Sequence, residues 1–270
     1  MKNCFAVLIL FSFCSCSVIE RRIFSSTQIN NPSLEKKKDH SVSITYSKPS
    51  GFDFTGGYAI TNRLAVIGGA YTYRNRDHEA TVLLFSNNNS SASLLYRHKG
   101  YHGGLGIYLP LSKKPASFVS FFGGYTYGSF RMDERYFENT ANPNPSATPT
   151  RISFFKSNIG RYFLQGSLNS YNKNLDASFI TRYNYINYTN VVTDYTIDDQ
   201  RNIGLPPVGN PRHSQFLDFA FDTKIYFSEA PKIGVQLFGS ATTRLTNREK
   251  NFQYYGFRAG IGIVVKNFLH

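Results

Sequence analysis

The chain has 270 residues, 30 Lys and Arg against 17 Asp and Glu, and a formal charge of +13. That balance suits anionic lipid headgroups as well as nucleic acid, but the cations lie on no helix and accompany no zinc-finger, RNP or helix-turn-helix pattern, so no nucleic-acid partner is expected. The 24 Phe and 19 Tyr, the absence of Trp, and the Asn and Ser crowding the stretches between apolar segments favour strands and turns over helices.

Residues 1–15 carry Lys2, an apolar run from Phe5 to Phe13 and then small residues. The run is too short to span a bilayer and has the anatomy of a secretory signal peptide. Phe13-Cys14-Ser15-Cys16 resembles the lipobox of bacterial lipoproteins. That resemblance implies that Cys16 carries the palmitate-type lipid of a mature lipoprotein, with Cys14 the second candidate; the alternative is an ordinary leader cut at Ser15 or Ser17. All three cysteines, Cys4 included, lie in the first sixteen residues, so the body has no thiol, disulfide or thiolate metal site. Residues 16–39, with Arg21, Arg22 and the run Lys36-Lys37-Lys38, follow neither regular period and read as a lipid-anchored flexible tether.

From residue 40 onward the pattern is extended. Val42, Ile44 and Tyr46 alternate with Ser and Thr, and Lys48-Pro49-Ser50-Gly51 is turn chemistry. Residues 52–60 put Phe52, Phe54, Tyr58 and Ile60 on one face; residues 64–74 follow, with Ala65, Ile67, Gly69, Tyr71 and Tyr73 as the apolar face. After a polar stretch, residues 96–109 and 117–131 form the next pair, then 151–169 and 175–192, then 213–227 and 232–244. Residues 253–270 close the series, with Tyr255, Phe257, Ala259, Ile261, Ile263 and Val265 on one face and glycines and cations on the other.

Turns alternate between short (61–63, 110–116, 170–174, 228–231) and long or polar (75–95, 132–150, 193–212, 245–251), the asymmetry of outer-membrane barrels with short periplasmic turns and long outer loops. The expectation is therefore an all-β, transmembrane antiparallel β-barrel of about ten strands over residues 40–270, with eight strands as the alternative and both termini in the periplasm. A soluble barrel, with the two faces exchanged, is the competing reading of the same periodicity. With the apolar faces toward lipid, His98, His102, Arg161, Gln165, Asp176, Arg182, Asp218, Asp222, Lys224, Gln236 and Arg258 line the interior as a polar network. Interior charges should pair, with Asp218 and Asp222 partnering Arg182, Arg258 or Lys224 in a plugged or narrow lumen.

Little in that interior resembles a reaction centre. His98 and His102 share a face but stand about 13 Å apart on an extended strand, too far for one metal. The acidic loop from Asp194 to Asp199 lacks the glycine and terminal glutamate of a calcium loop. No G-x-S-x-G or phosphate-loop motif occurs. No metal or cofactor and no enzymatic activity are expected.

The stretch Gly57-Tyr58-Ala59-Ile60-Thr61-Asn62-Arg63-Leu64-Ala65-Val66, with the leader and the C-terminal strand, resembles lipid-anchored outer-membrane β-barrels of Bacteroidota. The resemblance implies an outer-membrane location and no particular reaction. The expected function is a non-enzymatic structural or accessory component of an outer-membrane assembly, with outer-membrane lipids and other outer-membrane or periplasmic proteins as partners. A narrow channel for small solutes is the second reading. A rim hydrolase, acting as a protease or on lipid A through His98, Asp218 and His213, is the third.

Overall fold

The structure, a computed structural model, describes residues 21–48, 51–81, 90–113, 116–138, 148–202, 205–206, 208, 213–228, 231–245 and 253–267. The leader and Cys16 lie outside these residues. In chain order the elements are β1 (Arg22–Ser25), β2 (His40–Lys48), β3 (Gly51–Ala59), β4 (Leu64–Thr81), β5 (Ser90–Lys113) and β6 (Ala116–Glu138). Then come β7 (Arg151–Tyr171), β8 (Leu175–Thr193), a short helix α1 (Ile197–Asn202), β9 (His213–Tyr226), β10 (Lys232–Arg244), β11 (Gln253–Tyr255) and β12 (Phe257–Lys266).

Ten strands close into an antiparallel barrel, β2 through β10 in sequence order with β12 pairing both β10 and β2. Ten, not eight, is the strand number, and in the closed ring every strand has a neighbour on both sides. Exposed Phe and Leu side chains alternate with buried polar ones along β7, β8 and β9, so the period of two read from the sequence divides an apolar outside from a polar inside. No described helix is long and apolar enough to cross a membrane.

Five expectations are corrected. The polar stretch after residue 74 is largely sheet: β4 runs to Thr81, β5 starts at Ser90 and β6 runs to Glu138, so the wall at the long-loop end rises well above the short strands β2 and β3. The third long loop contains α1, opened by Thr196 capping the Asp199 amide at 3.1 Å. The closing strand breaks at Gly256, and residues 253–255 leave the barrel to pair in parallel with β1.

The face of β4 is also inverted. Ala65, Ile67, Tyr71 and Tyr73 are buried inside, and Ala70 and Thr72 face outward. Both faces of this strand are partly apolar, and space decides between them. The Tyr71 ring fills the interior over Gly100 and Gly128, where added Cβ atoms would lie within 2.5 Å of its hydroxyl or closer.

The largest correction concerns residues 21–39. They are no free tether: residues 24–34 are buried inside the barrel. Arg21 sits at the long-loop end against Glu134, and Glu35 reaches the short-turn end against Lys266. The chain therefore threads the lumen from the loop end to the turn end, reverses at Lys36 to Lys38, and only then enters the wall as β2. His40 and Lys266 both lie at the turn end, so the wall begins and ends on one side, while Arg21, the first described residue, lies at the opposite end of the lumen.

Candidate functional site

The candidate site is the lumen with its inner segment. A polar chain inside a barrel must have its backbone and side-chain groups bonded, because an unbonded buried polar group is costly. The wall supplies those bonds in layers. At the loop end β1 pairs with β11, and Phe24 stacks on Phe216 with ring centroids 4.5 Å apart inside an apolar cluster that includes Leu94, Met132, Phe155 and Ile186. Arg21 holds Glu134 at 2.6 Å, and Tyr195 donates to the same carboxylate. Burial, then the charge of Glu134, pushes the Tyr195 phenol well above its ordinary value, so it remains a neutral donor.

The middle layer is ionic. Asp218 accepts from Ser26 Oγ (2.8 Å), Arg182 Nη2 (2.9 Å) and Asn184 Nδ2 (2.8 Å) on one oxygen, and from the Thr242 hydroxyl (2.7 Å) on the other. Arg182 also donates to the Thr27 carbonyl at 2.9 Å. Arg258 donates to the Ser26 carbonyl at 2.8 Å, pairs with Asp53, and lies 4.3 Å over the Tyr73 ring. Asp53 accepts from the Gln28 amide at 3.3 Å, and Thr45 donates to the Gln28 side chain. Arg161 differs from these pairs: it has no carboxylate partner among the described residues and rests on the hydroxyls of Thr27 (2.7 Å) and Thr126 (2.9 Å).

Nearer the turn end, Asn30 donates to the carbonyls of Gly56 (2.7 Å) and Gly68 (2.9 Å) and accepts from Gln165 at 3.0 Å through its own carbonyl. Pro32 lies against Gly57 so closely that any Cβ there would enter its ring. Lys224 donates to the Asn31 carbonyl at 2.6 Å and pairs with Asp222 at 3.1 Å, which in turn accepts from Gln236 at 2.7 Å. Leu34 then seals this end within a cluster that includes Tyr108, Phe118, Phe163 and Tyr171.

All the interior residues read from the sequence thus face inward, but in separate groups. Arg182 joins Asp218, and Lys224 joins Asp222. Arg258 pairs instead with Asp53, which the sequence reading omitted, and Asp176 accepts from Tyr226 at 3.0 Å. His98 meets Tyr71 at 3.1 Å, and His102 makes no hydrogen bond through either ring nitrogen among the described residues. His213 is exposed and stacks on Tyr185 at 5.3 Å, and Asp218 bonds to none of the histidines, so no hydrogen-bonded set unites His98, Asp218 and His213. No group of three metal-ligating side chains occurs among the described residues.

The sequence reading missed the inner segment itself. Its signal is the uncharged run from Ile23 to Leu34 between Arg21-Arg22 and the charged residues 35–39, with Phe24, Ile29 and Leu34 spaced every five residues. The geometry defines a ten-stranded barrel filled by its own N-terminal segment. No known family model matches the chain, and no curated protein matches it.

Proposed function

We propose that this chain is a lipid-anchored outer-membrane barrel of the Bacteroidota type that serves as a non-enzymatic structural component of an outer-membrane assembly. The observation that carries this reading is the lumen: residues 24–34 fill the path a solute would take, and most of their polar side chains bond to the wall. A barrel so filled offers its outside and its loop end to partners. The outer face supports a membrane setting, with exposed Phe52, Phe54, Leu105, Leu164, Phe221 and Ile263 around the wall. The shortest wall strands, nine residues in β2 and β3 and ten in β12, match the nine to eleven residues of a tilted bilayer crossing. On this reading a lipid on Cys16, five residues before Arg21, anchors the loop end, since five residues reach at most about 18 Å.

The test is extraction from membranes in mild detergent, followed by the mass of the particle and its conductance in a planar bilayer. A reproducible particle heavier than one chain, with no conductance, is expected. A monomer that conducts ions overturns the proposal.

A further inference from the structure

The outer wall of β4–β7 carries a row of positive charge beside an apolar groove. Arg74, Arg97, Arg131 and Lys156 are successive cross-strand partners, each directly opposite the next, and all four side chains are exposed. Like charges placed opposite one another destabilise a sheet, so such a row calls for counter-charge. Among the described residues only Asp133 supplies it, 2.7 Å from Arg131 and 3.6 Å from Arg97. Among the described residues Arg74 and Lys156 have no carboxylate within ion-pair range, and exposed Lys99, two residues from Arg97 on the same face, adds a fifth cation.

The groove follows from side-chain size along β4. Its outward residues Thr72 and Ala70 are small, while their cross-strand neighbours are Phe52 and Phe54 on one side and Lys99 and Tyr101 on the other. Tyr127 extends the second bank. The resulting depression has a volume of about 560 Å³. A second depression of about 410 Å³, beneath the cation row, adjoins it and shares Thr72, Lys99 and Ser129.

We infer that this surface binds a phosphorylated membrane lipid, its phosphate on the row Arg74–Arg97–Arg131–Lys156 and an acyl chain in the valley along β4. The inference rests on the membrane setting proposed above. Arginine presents a planar fork of donors that matches phosphate oxygens in pairs, and a row across four strands spans about 14 Å, enough for more than one phosphate. The order along the wall is cations toward the loop end, then Tyr101 and Tyr127, then Leu105 and Phe121. It repeats the order of headgroup, interface and chains in a leaflet. A zwitterionic lipid brings its own cation and leaves the row unbalanced, whereas a net-negative phosphate neutralises it.

The test uses the full chain, delipidated in non-ionic detergent, and counts bound lipid by native mass spectrometry. The probes are a bis-phosphorylated acylated disaccharide lipid, its dephosphorylated form and phosphatidylethanolamine. The phosphorylated lipid should bind about tenfold or more tighter than the other two. Combined Arg74→Gln, Arg97→Gln and Lys156→Gln should abolish that preference, while Arg97→Lys alone retains most of it. Ala70→Leu with Thr72→Leu should weaken all acylated probes by filling the valley. Equal binding of the phosphorylated and dephosphorylated forms, an undiminished preference in the triple variant, or complete displacement by millimolar inorganic phosphate overturns the inference. Flotation with zwitterionic vesicles separates the two levels: failure to insert refutes the membrane setting, and insertion without phosphate preference refutes the lipid site alone.

Discussion

Five of the six buried cations among the described residues have a carboxylate within ion-pair distance, as in Arg182 with Asp218 and Arg258 with Asp53, whereas of the five exposed cations Arg74, Arg97, Lys99, Arg131 and Lys156 on the outer wall of β4–β7 two reach one, Asp133. Most interior charges are paired because low dielectric makes an unpaired charge expensive, and the inner segment supplies hydrogen-bonding groups where a counter-charge is missing, as Thr27 does for Arg161. Water tolerates the outer row, so nothing in folding forces its neutralisation, and the unmet charge there remains available to a ligand. The inside of this barrel is occupied by the chain itself, and the outer row is the charge that the proposed lipid would neutralise.

The largest test of that contrast is Arg182→Met, which leaves Asp218 buried with its main cation gone. It should cost about 3–5 kcal/mol, read from denaturant unfolding in detergent. Arg161→Met removes a cation of equal burial that has only hydroxyl partners, and should cost about 1–3 kcal/mol in the same assay. Equal losses at the two positions would mean that ion pairing does not organise the interior. Gly57→Leu, which drives a side chain into Pro32, should cost about 1–3 kcal/mol, and part of that loss should be recovered by adding Pro32→Ala. If Pro32→Ala recovers nothing, Pro32 is not seated against Gly57. Arg97→Gln on the outer row should change stability by no more than about 0.5 kcal/mol in lipid-free detergent.

Much of the barrel is legible in the sequence. Strict alternation in β7, β8 and β9 separates the faces, and turn residues such as Thr61-Asn62-Arg63 set the strand count. The face of β4 was not legible, because apolar residues fall on both sides and only the room above Gly100 and Gly128 places Tyr71 inside. The partner of Arg258 was hidden for a related reason: Asp53 sits in Phe52-Asp53-Phe54, where the aromatics define the strand and the carboxylate reads as incidental. The inner segment escaped because Ser, Thr, Gln and Asn without a period describe a solvated linker as well as a chain whose polar groups are largely bound by a wall. Periodicity reports regular structure, and a plug needs none.

The threading of residues 21–39 is the central claim, and Lys36 to Lys38 offer the direct test, being exposed where the segment leaves the lumen. Trypsin applied to the folded chain with Cys14→Ser and Cys16→Ser, which removes any lipid attachment, should cut after one of these lysines. The N-terminal fragment should nevertheless stay with the barrel in native mass spectrometry and separate only when the barrel unfolds. Release of that fragment from the intact barrel under native conditions would show that the segment is a tether outside the lumen and would contradict the account.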